Sequence, residues 1–356
     1  MSDLENIIKN KIIKLGPMSV KDFYNFVLYS DKQGYYSKKN IVGKKGDFVT
    51  SPEISQLFGE VIAFWMILYL NKFNLNKEFN LCELGPGKGT LMSDILRTIK
   101  NVDDRMFVNL KKIFFLESSF CFLKTLKRKF LKAQIDDDIG KIPKGKNIII
   151  ANEFFDAVPV RQYIYQKNHW YERLVSLNEK EKLQFTLSKK IIKPNFFFPK
   201  KPINGQTFEI SEYIINILDI LCENIKKFGG ILLIIDYAKN NKDLFSTLSA
   251  INDHKHVNPF YKLGESDISF KPDYNLISKI VLKNFCKVHG PVTQSKFLQT
   301  MGIKQRAESL IKQNPLCKEK IQTELKKLIS PEFMGNTFKV ICVSDKKQKE
   351  IAGFDE

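Results

Sequence analysis

Arginine is scarce in this chain. Of its 57 basic residues only six (97, 105, 128, 161, 173 and 306) are Arg, and the other 51 are Lys. Together with abundant Ile, Asn and Phe, this matches a bias toward A+T-rich codons, which raises the net charge to +18 without a selected polyanionic partner. The lysines are dispersed, and short runs such as Lys38-Lys39 and Lys346-Lys347 read as solvated faces, with a functional basic surface as the alternative. No aromatic-rich RNA-binding module accompanies them, so nucleic acid is not an expected partner.

Cysteine is also sparse. The six thiols (82, 121, 222, 286, 317 and 342) include no Cys-x-x-Cys pair, which excludes a disulfide framework and fits reduced thiols in a cytosolic setting. His254-x-His256 lacks the further ligands that would complete a metal site, and no metal is expected. The longest apolar run, Val61 to Leu70, is about half a bilayer span. Asp3, Glu5 and Lys9 fit neither a signal peptide nor a transit peptide, so the expectation is a soluble, cytoplasmic protein. There is no internal repeat. With 356 residues, 43% of them hydrophobic, the chain can bury the core of one elaborated α/β domain.

The segment Asn80-Leu81-Cys82-Glu83-Leu84-Gly85-Pro86-Gly87-Lys88-Gly89-Thr90-Leu91 reads as a buried strand, a glycine-rich turn and a helix start. Glycines at alternate positions allow a tight turn and close approach of a ligand, and the free N–H groups from Thr90 onward face it. A ligand-free strand-to-helix connection is the structural alternative. The spacing is not that of a Walker loop, because Gly87-Lys88 is followed by Gly89 and position 82 is not Gly. Nor is it the dinucleotide fingerprint, whose third glycine would stand at position 90, where this chain has Thr. Acidic-x-Gly-x-Gly-x-Gly remains, with Glu83 leading it, a pattern typical of S-adenosylmethionine-dependent methyltransferases. Glu117, at the end of the next strand (112 to 117), is placed to take ribose hydroxyls or is an ordinary strand-end carboxylate.

Upstream, Leu4, Ile7, Ile8 and Ile12 predict an amphipathic helix ending near Gly16-Pro17, and Ser19 with Asp22 forms a capping box for a second helix. Ser51 is read as the cap of a third helix, with Pro52 at its first position, running to about Leu70. Downstream, runs at 146 to 152 and 230 to 236 read as buried parallel strands, with a helix from about 211 to 228 before the second. Short β segments from 160 to 205 form an inserted meander. The run 336 to 343 reads as a final strand, assigned to an antiparallel edge. Strands alternating with helices indicate a doubly wound sheet.

Asn152-Glu153-Phe154-Phe155-Asp156 follows the central strand at its carboxyl end, where open α/β sheets bind ligands. Glu153 and Asp156 there suit a cationic nucleophile such as guanidinium, which keeps its proton in water at neutral pH. Acids stabilising a helix N-terminus are the alternative.

Taken together, Gly46-Asp47-Phe48-Val49-Thr50-Ser51-Pro52-Glu53, Glu83 to Thr90, Ala151 to Ala157, Gly290-Pro291-Val292-Thr293-Gln294-Ser295 and Met334-Gly335-Asn336-Thr337-Phe338 resemble the MidA family, the relatives of the mitochondrial complex I assembly factor 7. The resemblance covers nearly the whole length. It implies a class I methyltransferase fold, Rossmann-like and doubly wound, with an N-terminal helical arm and cofactor-covering loop (1–75) and a methyltransferase domain (76–356) carrying the β-meander insertion. It implies S-adenosylmethionine as cofactor and an arginine of a protein substrate, such as a respiratory complex I subunit, as acceptor. The expected cofactor residues are Gly46, Thr50, Ser51, Pro52, Glu83, Gly85, Pro86, Gly87, Gly89, Thr90, Glu117, Ser118 and Asn152, and the expected catalytic residues are Glu153, Asp156 and Asp47. The chain departs from the family at Ala238, at Asn240 to Asp243 and at Phe270 to Tyr274, which bears on the acceptor rather than the cofactor. A cofactor-binding assembly chaperone without turnover and an RNA methyltransferase are the competing functions, and a homodimer is left open.

Overall fold

The computed structural model describes residues 3–31, 33–37, 50–72, 78–240 and 242–354. Gly46 and Asp47 lie outside these residues. The central sheet contains seven strands among the described residues: β2 (Phe79–Leu84), β3 (Leu110–Leu116), β4 (Gln134–Asp136), β5 (Asn147–Asn152), β10 (Gly230–Tyr237), β14 (Cys286–Thr293) and β15 (Phe338–Asp345). A second sheet holds β1 (Met18–Ser19), β6 (Arg161–Gln166), β7 (His169–Leu177), β8 (Leu183–Ile192) and β9 (Thr207–Ile210), and a third holds β11 (Ser249–Asn252), β12 (Lys255–Val257) and β13 (Asp267–Ser269).

The central order is β14-β15-β10-β5-β2-β3-β4. The strands from β10 to β4 are mutually parallel, and β15 runs antiparallel to both β10 and β14. Strands β2 and β5 are buried at every position because both faces are covered, and their residues alternate between two cores. Cys82, Leu84, Ile149 and Ala151 join one core with Phe114 and Leu232. Leu81, Ile148 and Ile150 join the other with Phe115 and Leu233. The chain leaves β2 toward β3 and β5 toward β10, in opposite directions, so a crevice opens above the carboxyl ends of β2 and β5.

At the other end of the sheet a buried amide relay holds the strands in register. Asn80 Nδ2 donates to Asn147 Oδ1 at 2.8 Å, and Asn147 Nδ2 donates to Asn224 Oδ1 and to the Pro143 carbonyl, each at 2.9 Å. Asn147→Leu strands the Asn80 and Asn224 partners, so we expect a loss of about 2–6 kcal/mol in a denaturant melt, at roughly 1–3 kcal/mol per buried group left unsatisfied. An unchanged midpoint would show the relay to be dispensable.

The arm folds as α1 (Asp3–Leu15) and α2 (Val20–Tyr29), and Ser19 Oγ accepts the Asp22 N–H at 3.0 Å. The arm is stitched to the second sheet by the antiparallel pairing of β1 with β7. The third helix departs from the sequence reading. Thr50, not Ser51, precedes α3 (Ser51–Ile54), the chain turns extended at Ser55, and α4 (Gln56–Lys72) then begins. Helical periodicity runs through the break unaltered, so apolar spacing did not mark it. The meander extends past residue 205, since β9 completes its sheet against β6. The final strand is not at the edge either, because β14 pairs outside it.

Candidate active site

The glycine turn leaves β2 at Leu84, and the Gly85 N–H donates to the Leu116 carbonyl at 2.9 Å, tying the turn to the end of β3. All three glycines have positive φ (66°, 52° and 67°). A Cβ at Gly85 would lie 2.9 Å from the Phe154 ring, and one at Gly89 would lie 2.5 Å from Phe130. At Gly87 it would meet nothing within 4 Å among the described residues. Helix α5 (Thr90–Val102) starts at this turn with its first N–H groups free of helical partners, and the Thr90 hydroxyl is bonded to Glu53 of α3.

Glu117 stands just past β3. One carboxylate oxygen accepts the Ser119 N–H at 2.8 Å and the other the Gly87 N–H at 3.3 Å. Burial pushes its pKa up to about 7 against those hydrogen bonds. Glu83 is buried within β2 and pushed by desolvation to about 8. Its Oε2, like Oδ1 of Asn152, is buried without a hydrogen-bond partner among the described residues.

The turn after β5 is built around a third strand end. Asp236 of β10, fully buried, accepts the N–H groups of Phe155 at 2.8 Å and Asp156 at 3.2 Å on one oxygen and that of Tyr237 at 2.7 Å on the other. Tyr24 and Tyr29 of α2 donate their hydroxyls to the Asp156 and Ala157 carbonyls at 2.5 and 2.9 Å. Glu153 is held in the left-handed region at φ 51°, an unusual conformation for a residue with a side chain. Its Oε1 accepts the Ser51 N–H and Asn152 Nδ2, each at 3.1 Å. Glu153 and Asp156 are half-buried, with their remaining surface facing a cavity. Desolvation lifts them to about 8 and about 7, and Asp236 is driven well above the usual carboxylate range by burial and by Asp156 and Glu153. No Lys or Arg among the described residues pairs with Glu153, Asp156 or Asp236.

These pieces enclose a cavity of about 400 Å³. Of the residues expected at the site, Thr50, Pro52, Glu83, Gly85, Pro86, Gly87, Thr90, Glu117, Ser118, Asn152, Glu153 and Asp156 line it. Ser51 does not. It is buried behind the wall, with its N–H on Glu153 and its hydroxyl near Gln294. Gly89 is likewise absent from the lining and packs under Phe130 and Leu126. The sequence reading missed Asp236, Asp267, Tyr24, Tyr29 and Tyr36. Asp236 carried a signal, an acid next to the carboxyl end of an otherwise apolar strand.

The cavity suits a nucleoside that carries a positive charge. Two buried polar atoms of residues in its wall, Glu83 Oε2 and Asn152 Oδ1, lack partners among the described residues; a carboxylate stands ready for hydroxyls at Glu117, and Gly87 leaves room beside the turn. A family model described as "Putative S-adenosyl-L-methionine-dependent methyltransferase" matches residues 61–292. The chain belongs to this family. It is a methyltransferase, and S-adenosylmethionine is its cofactor.

Among similar curated proteins, the protein arginine methyltransferase NDUFAF7 of Xenopus laevis is 30% identical, over 94% of this chain and 82% of that one. The Drosophila melanogaster homolog is 29% identical over 94% and 83%, and the Homo sapiens protein 28% over 92% and 80%. A crystal structure from Burkholderia thailandensis bound to S-adenosyl-homocysteine superposes with a TM-score of 0.82 at 22% identity, covering 99% of this chain and 94% of that one, and shows the shared class I fold. The cytoplasmic expectation is corrected by the relatives, which are named as mitochondrial proteins. Among the described residues no helix is long and apolar enough to cross a membrane, and no cluster of three metal-ligating side chains occurs.

The carboxylates dictate an unusual pH response. Glu83, Glu117, Glu153 and Asp156 all bind their protons more tightly when folded than at the ordinary value near 4. The folded chain therefore holds more protons than the unfolded one from about pH 4 to 8, and their contribution to stability is lost as pH rises through that window. Denaturant melts of the cofactor-free protein should show lower stability at pH 8.5 than at pH 5.5. Equal or greater stability at pH 8.5 would mean that these groups are not desolvated.

Proposed function

We propose that the chain methylates a guanidinium nitrogen of an arginine in a protein substrate. The observation that carries this reading is the pair Glu153 and Asp156 on the cavity wall, backed by Asp236, with no lysine or arginine paired to them among the described residues. Desolvated, uncompensated carboxylates favour a cationic occupant and disfavour a phosphate backbone, which speaks against RNA. The arginine methyltransferase names of the relatives support the reading. The MidA resemblance points further, to a respiratory complex I subunit as the substrate.

The cofactor supplies a methyl group on a cationic sulfur. Glu117 and the Gly85–Gly89 turn bind its nucleoside, Glu83 and Asn152 offer their unpaired oxygens, and Thr50 and Pro52 close the wall opposite. Asp156 holds the acceptor guanidinium, and Glu153 accepts the proton that the reacting nitrogen gives up as its bond to carbon forms. A base with a pKa near 8 is matched to that transfer at neutral pH. Asp236 acts at one remove, by fixing the backbone that carries both. Alignment of nitrogen and methyl accounts for roughly 7–11 kcal/mol at most.

The test is incubation of the purified chain with methyl-labelled S-adenosylmethionine and respiratory-chain protein, followed by acid hydrolysis. Label should appear as N-methylated arginine. Label on lysine, on histidine or in RNA would overturn the assignment.

A further inference from the structure

We infer that Asp267 is a further guanidinium-binding carboxylate, and that the acceptor side chain reaches it through an opening between α2 and the helix Glu212–Phe228. The inference rests on the arginine reading above. Among the described residues, the exposed members of the cavity lining fall in two places. Ser118 and Asp137 lie just beyond β3 and β4, beside the proposed nucleoside-binding Glu117. Asn25 on α2 and Tyr213 on the Glu212–Phe228 helix lie elsewhere, and Tyr213 is 46% exposed. One opening serves the nucleoside, which leaves the other for a chain entering from solvent.

Asp267 belongs to the remaining part of the lining. It is the first residue of β13, 8% exposed, and is followed by Ile268 and Phe270, both buried. The Phe270 N–H donates to the Asp156 carbonyl at 3.3 Å, which ties this strand to the turn that bears the proposed acceptor-binding acid. Tyr29 and Tyr36 also line the cavity, and their rings stack with centroids 5.5 Å apart. The charges of Asp156 and Asp267 both raise the hydroxyl pKa of Tyr24, Tyr29, Tyr36 and Tyr237, so the two acids face the same tyrosines.

A guanidinium presents five N–H donors in one plane and needs more than one carboxylate to satisfy them in a desolvated chamber. With Glu153 serving the reacting nitrogen, Asp156 and Asp267 take the others, and the tyrosine rings favour a flat cation at their faces. Asp267 is thus an acceptor-binding residue supplied by the small third sheet.

Calorimetry on the full chain saturated with S-adenosylhomocysteine tests this, with N-acetyl-arginine methylamide and its neutral citrulline counterpart as probes. The wild-type chain should bind the arginine probe at least tenfold more tightly than the citrulline probe. Asp267→Asn should lose at least tenfold in arginine-probe affinity with S-adenosylhomocysteine affinity unchanged within twofold, and Asp267→Glu should recover part of the loss. A merely structural role would not separate the two ligands in this way. Equal arginine-probe affinity in Asp267→Asn and wild type would overturn the inference while leaving the arginine reading intact. A wild-type chain that does not discriminate the probes would overturn both. Should Asp267→Asn fail to bind S-adenosylhomocysteine, Asn25→Trp at the exposed mouth takes its place. It must weaken arginine-probe binding at unchanged cofactor affinity, and equal binding would overturn the inference.

Discussion

Glu153→Gln should lower the single-turnover rate of methyl transfer by about 10²–10⁴-fold, the range expected on removing a general base, while S-adenosylhomocysteine affinity stays within a few-fold of wild type. Gln keeps the length of the side chain and one oxygen to accept the Ser51 and Asn152 donors. It removes the proton acceptor and the negative charge. The same substitution should shrink the stability loss between pH 5.5 and 8.5, since Glu153 is one of the groups with a pKa near 8. A transfer rate equal to wild type would remove Glu153 from the chemistry, and the left-handed conformation at this residue would then need another explanation.

Gly87→Val should weaken S-adenosylhomocysteine binding by about 100-fold or more, an effect that combines two costs. The residue sits at φ 52°, where a side chain costs roughly 1–2 kcal/mol, and the new methyls occupy the open space beside the turn. Because a Cβ there meets nothing within 4 Å, the chain should still fold. Gly89→Val is the contrast. Its Cβ would lie 2.5 Å from Phe130 and 2.9 Å from Leu126, so that variant should lose stability as well as binding. Calorimetry with thermal melts separates the two. Wild-type affinity in Gly87→Val would displace the cofactor from this turn.

Much of the sheet was legible because buried parallel strands are mostly apolar runs, and β2, β5 and β10 each carry a polar residue, Glu83, Asn152 and Asp236, at or next to the end where the turn begins. Strand β4 has three residues and no apolar run, so nothing in the sequence marked it. The neighbours of β15 were not legible either, since an antiparallel strand reads alike whether its outer side meets solvent or β14. The break at Ser55 hides inside an unbroken apolar periodicity.

At the site, the glycine turn, Glu83, Glu117, Glu153 and Asp156 could be named because each stands beside a strand end. Asp267, Tyr29 and Tyr36 could not, because they reach the cavity from segments more than a hundred residues away from the Glu153 turn, and only tertiary packing brings them together. Ser51 and Gly89 were placed at the cofactor by motif. In the structure they lie behind the cavity wall, where the Ser51 N–H reaches Glu153 and Gly89 admits the Phe130 ring.

The most direct test of the central claim, that this methyltransferase acts on a protein arginine through Glu153, is mass spectrometry of arginine methylation in three cell lines. One carries the chain, one lacks it, and one carries Glu153→Gln in its place. The expected result is at least one methylated arginine that is present with the wild-type chain and absent in both other lines. If no arginine changes on removal of the chain, or if Glu153→Gln restores the mark in full, the account is wrong.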